Sequence, residues 1–401
     1  MIQISPQKNL LLFFATITIN AAIAQSPKVF LMDANRLVDL KKKVQQNDKQ
    51  VLQLIDGLKK QAEDALKMNP VSVMDKELTP VSGNKHDYMS QAPYFWYDST
   101  KPNGLPYIRR DGVRNPEINK ITDRTYIGRL ENATRILSLV YYLTGDNKYA
   151  DKAAILLRHW FINEATKMNP HLEYGQAIPG INHGRGIGII ETRTLIGIVD
   201  AVGLLEGSVS WTTTDTKAMQ DWYAKYLDWL LTSKNGRDEH AAKNNHGTWY
   251  YAQAIDFALF SGNKELAGKL AEESKMRLDS QLTKEGEQPL ELDRTNGLGY
   301  STMNLQGWFD VAKLAEKAGV DLWKYKTPNG ASIRLALDWL MPYALGEKKW
   351  TYQQIGEYNK REIYTLLLQA GNKFQGTNYK AYAEQKPDQE INDLLTDLLY
   401  K

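Results

Sequence analysis

Two short stretches of the chain contain side chains that together could hold an acid group and move one proton. Asn245 and His246 lie in the run Asn-Asn-His-Gly-Thr-Trp-Tyr, and Arg294 and Tyr300 lie in a later run, Arg-Thr-Asn-Gly-Leu-Gly-Tyr. The amide, imidazole and guanidinium groups can donate hydrogen bonds to a carboxylate, while a phenol can accept or release a proton. This set suits β-elimination on a uronic acid polymer, in which the C5 proton is removed and the bond from C4 to O4 breaks.

The C5 proton of a uronate is weakly acidic, so its removal requires donors that stabilise the charge developing beside the carboxylate. Each such donor is typically worth about 2.7–4 kcal/mol in the transition state. Asn245, His246 and Arg294 are the predicted donors. Tyr300 is the predicted catalytic base, because the guanidinium of Arg294 could favour its phenolate over the phenol, whose usual pKa is about 10.

Each of these residues also has a purely structural explanation. Asn245 precedes an apolar helical run and could be its N-cap. His246 could be a hydrogen-bonded residue of the first helical turn, and Tyr300 could be a packing residue. Glu239 precedes His246 by seven residues and could orient the histidine or the base, although most exposed glutamates have no such role.

The sequence gives no support for a metal site or another cofactor. No pair among the six histidines has the H-x-x-x-H spacing that places two ligands on one helix face. Asn182 and His183 stand in a glycine-rich loop before a helical pattern, and they are candidates for substrate binding if this loop faces the same cleft. A turn followed by a capped helix explains the same two residues.

Helices must position these residues, because apolar side chains recur at three- and four-residue spacing through most of the chain. The predicted helical segments are residues 34–66 (as one helix or two), 126–144, 148–163, 188–205, 215–231, 248–260, 264–282, 302–317, 332–343, 361–370 and 389–399. Period-two alternation bounded by turn residues, the pattern of strands, is nearly absent. The sequence therefore predicts an all-α fold.

Similar turns join the predicted helices in pairs. The runs Leu-Thr-Gly-Asp-Asn-Lys and Phe-Ser-Gly-Asn-Lys-Glu each end an apolar helix at a glycine, Gly145 or Gly262, and restart within a few residues. A left-handed glycine closes the first helix, and the short loop makes the second antiparallel to it. Stacked hairpins form an open solenoid or a closed toroid. The irregular spacing of the joints favours a toroid with varied loops.

Two long segments, residues 69–120 and 167–187, interrupt the helical pattern with prolines and glycines. Loops of this length are usually functional or disordered, and the aromatic residues of the first one argue against disorder. We therefore predict ordered, aromatic-rich loops over a central cleft. Packing accounts for most aromatic residues, but those predicted to contact sugar rings are Tyr94, Trp96, Tyr107 and Trp249.

The first residues have the pattern of a cleaved export signal. Lys8 precedes an apolar core at residues 10–19, and the run Ala-Ile-Ala ending at Ala24 predicts cleavage after that residue, so that residues 1–24 are the signal peptide. Residues 25–401 would then form a single domain in the periplasm or outside the cell. The apolar core is too short to span a membrane, which takes about 20 residues, and the chain has no cysteine for disulfides.

The charge balance is nearly neutral and excludes few partners. The chain has 50 basic and 47 acidic residues, and its basic clusters are short and scattered, so nothing indicates binding to nucleic acid. An acidic polysaccharide is the predicted partner, and the oligomeric state is left open.

Residues 244–250, the pair Arg294 and Tyr300, and the segment 86–112 resemble the alginate lyase superfamily of helical-toroid polysaccharide lyases. The resemblance extends over roughly residues 80–310. It implies an incomplete α/α toroid with a central cleft or tunnel, in which an Asn/His pair and an arginine handle the uronate carboxylate and a tyrosine is the base and a candidate acid. These implied roles fall on Asn245, His246, Arg294 and Tyr300, with Asn182 and Glu239 as weaker candidates.

The stretch from Arg294 to Tyr300 lacks the Arg-Ala-Leu run of the alginate-specific branch and is more similar to the branch that includes glucuronan and polymannuronate lyases. Mannuronate and glucuronate differ only at C2, so both place the C5 proton and O4 on the same side of the ring, where one tyrosine can serve both steps. Guluronate, the C5 epimer, requires a separate base, for which His246 and His183 are candidates. We therefore predict β-1,4-linked mannuronate or glucuronate as the substrate and rank guluronate lower.

Two other functions are compatible with the sequence. A glycoside hydrolase on the same fold requires two carboxylates about 5–9.5 Å apart, and Asp293 with Glu239 or Glu291 is a candidate pair. A noncatalytic glycan-binding protein would need only the aromatic loop. An unsaturated product that absorbs ultraviolet light would distinguish elimination from both.

Overall fold

The computed structural model describes residues 26–384 and 394–401, and most of these residues are helical. The α-helices are, in chain order, α1 Ala34–Gln45, α2 Lys49–Lys67, α3 Asp123–Thr144, α4 Asn147–Leu157, α5 Leu195–Leu205, α6 Thr213–Thr232, α7 Lys234–Ala241, α8 Asn245–Phe260, α9 Lys264–Gln281, α10 Pro289–Leu292, α11 Gly297–Ala318, α12 Ile333–Ala344, α13 Lys360–Lys373, α14 Tyr379–Glu384 and α15 Leu394–Tyr400. The short strands are β1 Met89–Gln91, β2 Phe95–Trp96, β3 Ile108–Arg109 and β4 Tyr174–Ala177. The predicted all-α class is confirmed, and the predicted signal peptide lies outside the described residues.

The two predicted helical hairpins are present, with a glycine at each joint. Gly145 ends α3 in the left-handed conformation, with φ of 74°, and α4 begins two residues later. Gly262 has φ of 82° and lies between α8 and α9. Glycine adopts this backbone conformation without a steric penalty, so these two positions set where each chain reversal occurs.

The helices form a two-layered toroid. Helices α5 and α8 are buried along nearly their whole length, because other helices cover both of their faces. The inner layer runs from α3 to α5, α8 and α11, each packed on the next, while α4, α6, α9 and α12 pack outside them. At the end of the chain α15 contacts both α2 and α13, so it connects the last helices to the first.

Some element boundaries differ from the prediction for a packing reason. Residues 188–205 were expected to form one helix, but a 3₁₀ helix, Gly186–Thr194, precedes α5. A Cβ on Gly188 would lie 2.5 Å from the backbone of Gly175 in β4. The 3₁₀ helix therefore packs directly against this strand. The strands and the short helices α7, α10 and α14 were not predicted, because so few residues give little periodicity.

The two long loops are ordered and are bound to each other. Strand β1 of the first loop pairs in parallel with β4 of the second, and β2 pairs antiparallel with β3 within the first loop. The buried carboxylate of Glu191 accepts hydrogen bonds from the hydroxyls of Tyr88 at 2.8 Å and Ser90 at 2.6 Å. These contacts fix the first loop to the 3₁₀ helix that precedes α5.

Candidate active site

The first candidate pair lies at the start of the inner helix α8. Asn244, the residue before the predicted donor, is the N-cap, and its side chain accepts the backbone N–H of His246 at 3.4 Å. Asn245 is the first residue of the helix and is fully buried. The N-cap explanation proposed for Asn245 therefore belongs to its neighbour, and the side chain of Asn245 is available for other contacts.

A buried glutamate holds Asn245 by two hydrogen bonds. Glu291, in the short helix α10, accepts the backbone N–H of Asn245 at 2.6 Å and its side-chain amide at 2.8 Å. Burial raises the pKa of Glu291, and the two hydrogen bonds from Asn245 offset part of this effect. The Oδ1 atom of Asn245 has no hydrogen-bond partner among the described residues. Glu291, which lies on a different helix, thus fixes the orientation of the Asn245 amide.

The imidazole of His246 is oriented by Glu239, as the sequence suggested. Nδ1 of His246 lies 2.8 Å from Oε1 of Glu239, whose side chain is fully buried at the end of α7. Because a carboxylate accepts this hydrogen bond, Nδ1 carries a proton and Nε2 is left for a ligand. No partner of Nε2 is found in the part of the chain that the structure describes. A carboxylate on one ring nitrogen with the other nitrogen free is a common arrangement for histidines that exchange protons or bind anions.

Arg294, in the loop before α11, is in direct contact with Tyr300, in the first turn of α11. The guanidinium carbon of Arg294 lies 3.8 Å from the centroid of the Tyr300 ring. The hydroxyl of Tyr300 lies 2.8 Å from that of Tyr94, which comes from the first long loop. The predicted aromatic loop therefore reaches the predicted base.

The electrostatics at Tyr300 differ from the expectation. Arg294 lowers the pKa of Tyr300, as expected, but burial and the hydrogen bond with Tyr94 outweigh it, so that the pKa is raised above its usual value. The sequence indicates the nearby cation but not how far the phenol is removed from water. Without a ligand, Tyr300 is therefore a protonated phenol at neutral pH.

Asp111 links the aromatic loop to the loop of Arg294. Its two oxygens accept Nε of Arg294 at 3.1 Å and Nη2 at 2.9 Å, and Thr295 also donates its hydroxyl at 3.1 Å. Burial raises the pKa of Asp111, but the hydrogen bonds from Arg294 and Arg109 hold it well below its usual range. Gly112, with φ of 73°, allows this approach, since a Cβ there would lie 2.4 Å from Thr295.

The other aromatic candidates hold the loop rather than reach Tyr300. Trp96 donates its ring N–H to the carbonyl of Val113 at 2.8 Å. Tyr107 donates to Glu117 at 2.8 Å, and burial together with this carboxylate raises its pKa to about 12. Trp249 is only 4% exposed and packs in the core behind the site. Only a small part of the Trp249 surface is accessible in this conformation.

Asn182 and His183 lie in a turn at the edge of the second long loop. The side chain of Asn182 accepts the backbone N–H of Ile178 at 3.1 Å and so closes the turn. His183 is exposed, and no contact to the residues of the site is present within the described chain. The turn touches the first loop through a hydrogen bond from Tyr107 to the carbonyl of Pro179 at 3.1 Å. The turn of the structural explanation is present, but the 3₁₀ helix that follows has no side-chain cap among the described residues.

The comparison with known proteins identifies the family. The family model described as alginate lyase matches residues 72–350 of the chain. The chain belongs to the alginate lyase family. It is 40% identical to an alginate lyase from Bacteroides ovatus, with 94% of this chain and 99% of that chain covered and a TM-score of 0.89. An alginate lyase from Sphingomonas species A1, at 15% identity, covers 95% of this chain and 97% of its own with a TM-score of 0.59, which shows the same fold. A search of curated proteins found no match.

The protein is therefore a polysaccharide lyase, and the resemblance found in the sequence is confirmed. The alternatives of a glycoside hydrolase and a noncatalytic binding protein do not fit this family. The carboxylates proposed for hydrolysis also have other partners in the lyase, since Glu239 holds His246 and Glu291 holds Asn245.

Sequence reasoning missed several residues around the site of this lyase. Asp111 lies in the segment 86–112 and Glu291 was named only as a candidate carboxylate for hydrolysis, and nothing local indicated that they would bind Arg294 and Asn245. Arg114 was also missed, and its guanidinium lies close enough to Tyr94 and Tyr300 for the charges to affect one another.

Arg185 adds a further cation near the lyase's aromatic loop. Burial, followed by repulsion from Arg109, lowers its pKa to about 10, so it stays charged at neutral pH. It donates to Gln176 at 2.8 Å and lies 5.1 Å from the ring of Phe95. Gln176 itself has φ of 51°, a strained conformation for a residue with a side chain and one that often marks functional sites. The surroundings of Tyr300 are thus rich in arginine, which suits an anionic ligand.

In residues 26–384 and 394–401, no three His, Asp or Glu side chains are grouped so that they could hold a metal ion. Among the helices that the structure describes, none has both the length and the apolar character needed to cross a bilayer.

The contacts of Glu291 lead to a stability prediction. Glu291→Leu leaves two buried N–H groups of Asn245 without an acceptor, which costs about 1–3 kcal/mol for each donor. We expect a lower free energy of unfolding, measured by chemical denaturation. Glu291→Gln, which keeps one acceptor oxygen and the shape, is the matched control and should lose less. Equal losses in both variants would mean that the carboxylate does not support Asn245 in this way.

Proposed function

We propose that this lyase cleaves β-1,4-linked mannuronate or glucuronate polymers by β-elimination without a metal ion, and that Tyr300 is the base and then the acid. The observation that carries the proposal is the position of the Tyr300 ring against Arg294, at 3.8 Å, with its hydroxyl at the edge of the ordered loops. A phenol beside a guanidinium can reach a proton and also stabilise the charge that forms next to it.

The substrate carboxylate would bind between the donors at the starts of α8 and α11. Arg294 has five N–H donors, of which two point to Asp111, so the remaining ones are free for an anion. Asn245 has one further amide N–H beyond the one given to Glu291. His246 can donate from Nε2 when its ring is protonated, and Glu239 stabilises that positive charge. Against the effect of burial, the charges of Arg294 and His246 both lower the pKa of Glu291, so both side chains lie near this carboxylate.

In the elimination step the phenolate oxygen of Tyr300 takes the C5 proton. The electron pair of the C5–H bond forms the double bond between C4 and C5, and the C4–O4 bond breaks. O4 then takes the proton back from the Tyr300 hydroxyl, so the enzyme returns to its starting state. The step starts from the phenolate, which forms when the phenol of Tyr300 loses its proton to solvent, and Arg294, already against the ring, favours that phenolate.

The stereochemistry of the sugar favours mannuronate and glucuronate, whose C5 proton and O4 lie on the same side of the ring. One hydroxyl can serve both atoms, and the site offers one phenol in contact with Arg294. The names of the relatives fit such acidic polymers, because they are described as alginate lyases. We also infer that the enzyme acts outside the cytoplasm, where these polymers occur, after removal of residues 1–24.

Guluronate is a second candidate substrate because of the pair formed by Glu239 and His246. Glu239 holds Nδ1, so neutral His246 presents a lone pair on Nε2. That nitrogen could remove a C5 proton on the opposite face of the ring, with Tyr300 as the acid. His246→Gln should then abolish cleavage of guluronate while it reduces cleavage of mannuronate less.

The proposal is tested by incubating the purified enzyme separately with polymannuronate, polyguluronate and glucuronan and following the ultraviolet absorbance of the new double bond. We expect activity on polymannuronate or glucuronan, and the same rate after exhaustive dialysis against a chelator. Absence of an unsaturated product from all three polymers would overturn the proposed substrate class. Loss of activity on chelation that returns with a divalent metal would overturn the metal-free mechanism.

The hydrogen bond between Tyr94 and Tyr300 predicts a shift in the pH dependence. A base acts when deprotonated, so kcat/KM should rise with pH toward the pKa of Tyr300. The Tyr94 contact raises that pKa, so Tyr94→Phe should lower it and move the rising limb to lower pH. The measurement is kcat/KM from neutral to alkaline pH. Tyr97→Phe, an exposed tyrosine of the same loop, is the control, and a limb that stays in place in Tyr94→Phe would argue against Tyr300 as the titrating base.

A further inference from the structure

A second cavity lies at the other end of α11 from Tyr300. Its volume is about 780 Å³, and its wall includes the last turn of α11, the start of α1 and residues of α13 and α15. From Tyr300 to Lys317 the helix rises by roughly 25 Å at about 1.5 Å per residue. The cavity is therefore separate from the proposed active site, and its size is within the range of about 300–1,000 Å³ usual for ligand sites.

The wall of this cavity is strongly basic. Two acidic residues, Asp33 and Glu316, line it, against six basic ones: Arg36, Lys313, Lys317, Lys373, Lys380 and Lys401. Glu316 is paired with Lys373 at 2.6 Å, and Asp33 accepts the first backbone N–H groups of α1. Lys317 and Lys380 have no ion-pair partner among the residues that the structure describes. Arg36, Lys313 and Lys401 are paired with Asp39, Asp310 and Asp397, which lie outside the wall. Two of the six cations, Lys317 and Lys380, are therefore left without a carboxylate in the described part of the chain.

We propose that this cavity is a second binding site for a short acidic oligosaccharide, whose carboxylates contact Lys317 and Lys380. The ligand identity rests on the proposed function, since the uronate chain or its unsaturated fragments are the acidic saccharides that this enzyme meets. An inorganic anion would pair with the lysines but would leave the cavity mostly unfilled. A saccharide matches the charge and the volume together.

The test is calorimetric titration of the full-length mature enzyme with an unsaturated mannuronate trisaccharide. Two sites are expected in the wild type. Arg294→Ala should remove the site at Tyr300 and leave the other, while the double variant Lys317→Ala/Lys380→Ala should weaken the second site about five- to thirtyfold, the effect of losing two exposed ion pairs. Lys60→Ala/Lys225→Ala removes the same charge at exposed positions away from both sites and should bind like the wild type. Thermal unfolding of each variant verifies that it is folded.

Two further probes identify the ligand chemistry. Neutral mannotriose should not bind the cavity at comparable concentration, and inorganic phosphate should bind it weakly. A single site that Arg294→Ala removes and the lysine variants do not affect would overturn the proposal, as would phosphate binding with no trisaccharide binding. Failure of the proposed function is distinguishable, because it would appear as absent turnover of the polymers whether or not the trisaccharide binds at the lysines.

Discussion

Tyr300→Phe is expected to lower kcat by about 10³–10⁴-fold while KM changes little. General acid and base catalysis by one group is usually worth about 10²–10⁴-fold, and here a single hydroxyl would serve both proton transfers. The aromatic ring remains, so the contact with the Arg294 guanidinium at 3.8 Å is preserved and substrate binding should be retained. The measurement is the initial rate of absorbance increase on polymannuronate and glucuronan at saturating substrate.

Tyr358→Phe is the matched control for this experiment. The hydroxyl of Tyr358 lies 2.9 Å from that of Thr302, which is in α11 like Tyr300. The Tyr358 side chain packs against the hydrophobic core. Its loss removes one buried hydrogen bond and should cost stability without a comparable loss of kcat. If Tyr300→Phe retained most of the wild-type rate, Tyr300 would not be the proton-transfer residue.

Arg294→Ala is expected to lower kcat/KM by about 10²–10³-fold, the scale for loss of one donor that stabilises developing negative charge. The substitution removes the cation next to Tyr300 and also leaves Asp111 without its bidentate partner. Because Asp111 lies in the aromatic loop, part of the loss could come from loop displacement. Arg294→Lys keeps the charge but cannot form the two parallel hydrogen bonds to Asp111, so it should retain an intermediate rate.

A double-mutant cycle separates the two roles of Arg294. Asp111→Ala alone should raise KM if Asp111 only holds the loop in place, and the pair Arg294→Ala/Asp111→Ala should be no worse than Asp111→Ala if the arginine acts only through Asp111. We expect the arginine to have an effect of its own on kcat in the Asp111→Ala background. Equal kcat values with and without Arg294 in that background would assign it a structural role instead.

The direction of the pKa shift at Tyr300 could not be predicted from residue spacing alone. The spacing of Arg294 and Tyr300 predicts a cation beside a phenol, and the structure has one. Burial and Tyr94, which is more than two hundred positions away in the chain, raise the pKa by more than the arginine lowers it. Burial depends on how the loops cover the site, and no local pattern reports it.

The helices were predictable because their signal is local. Apolar spacing along residues 248–260 and 264–282 marks two buried faces, and Gly262 marks the reversal between them, so α8 and α9 were found within a few residues. The 3₁₀ helix at Gly186–Thr194 was not, because its shape follows from the strand that packs against it. The predicted helix at 389–399 is described only from residue 394 onward, where it is helical.

By itself the sequence determined the helical class, the chain reversals, the family resemblance and the four residues that could do the chemistry, because each depends on residue type and short-range spacing. It also named Glu239 as a candidate to orient His246, and the structure shows the contact where α7 ends and α8 begins. The tertiary structure alone decided that Glu291 holds Asn245, that Asp111 holds Arg294 and that Tyr94 reaches Tyr300. These pairs form between distant parts of the chain, where burial and the closing of the toroid, rather than local spacing, determine which charges and hydroxyls meet.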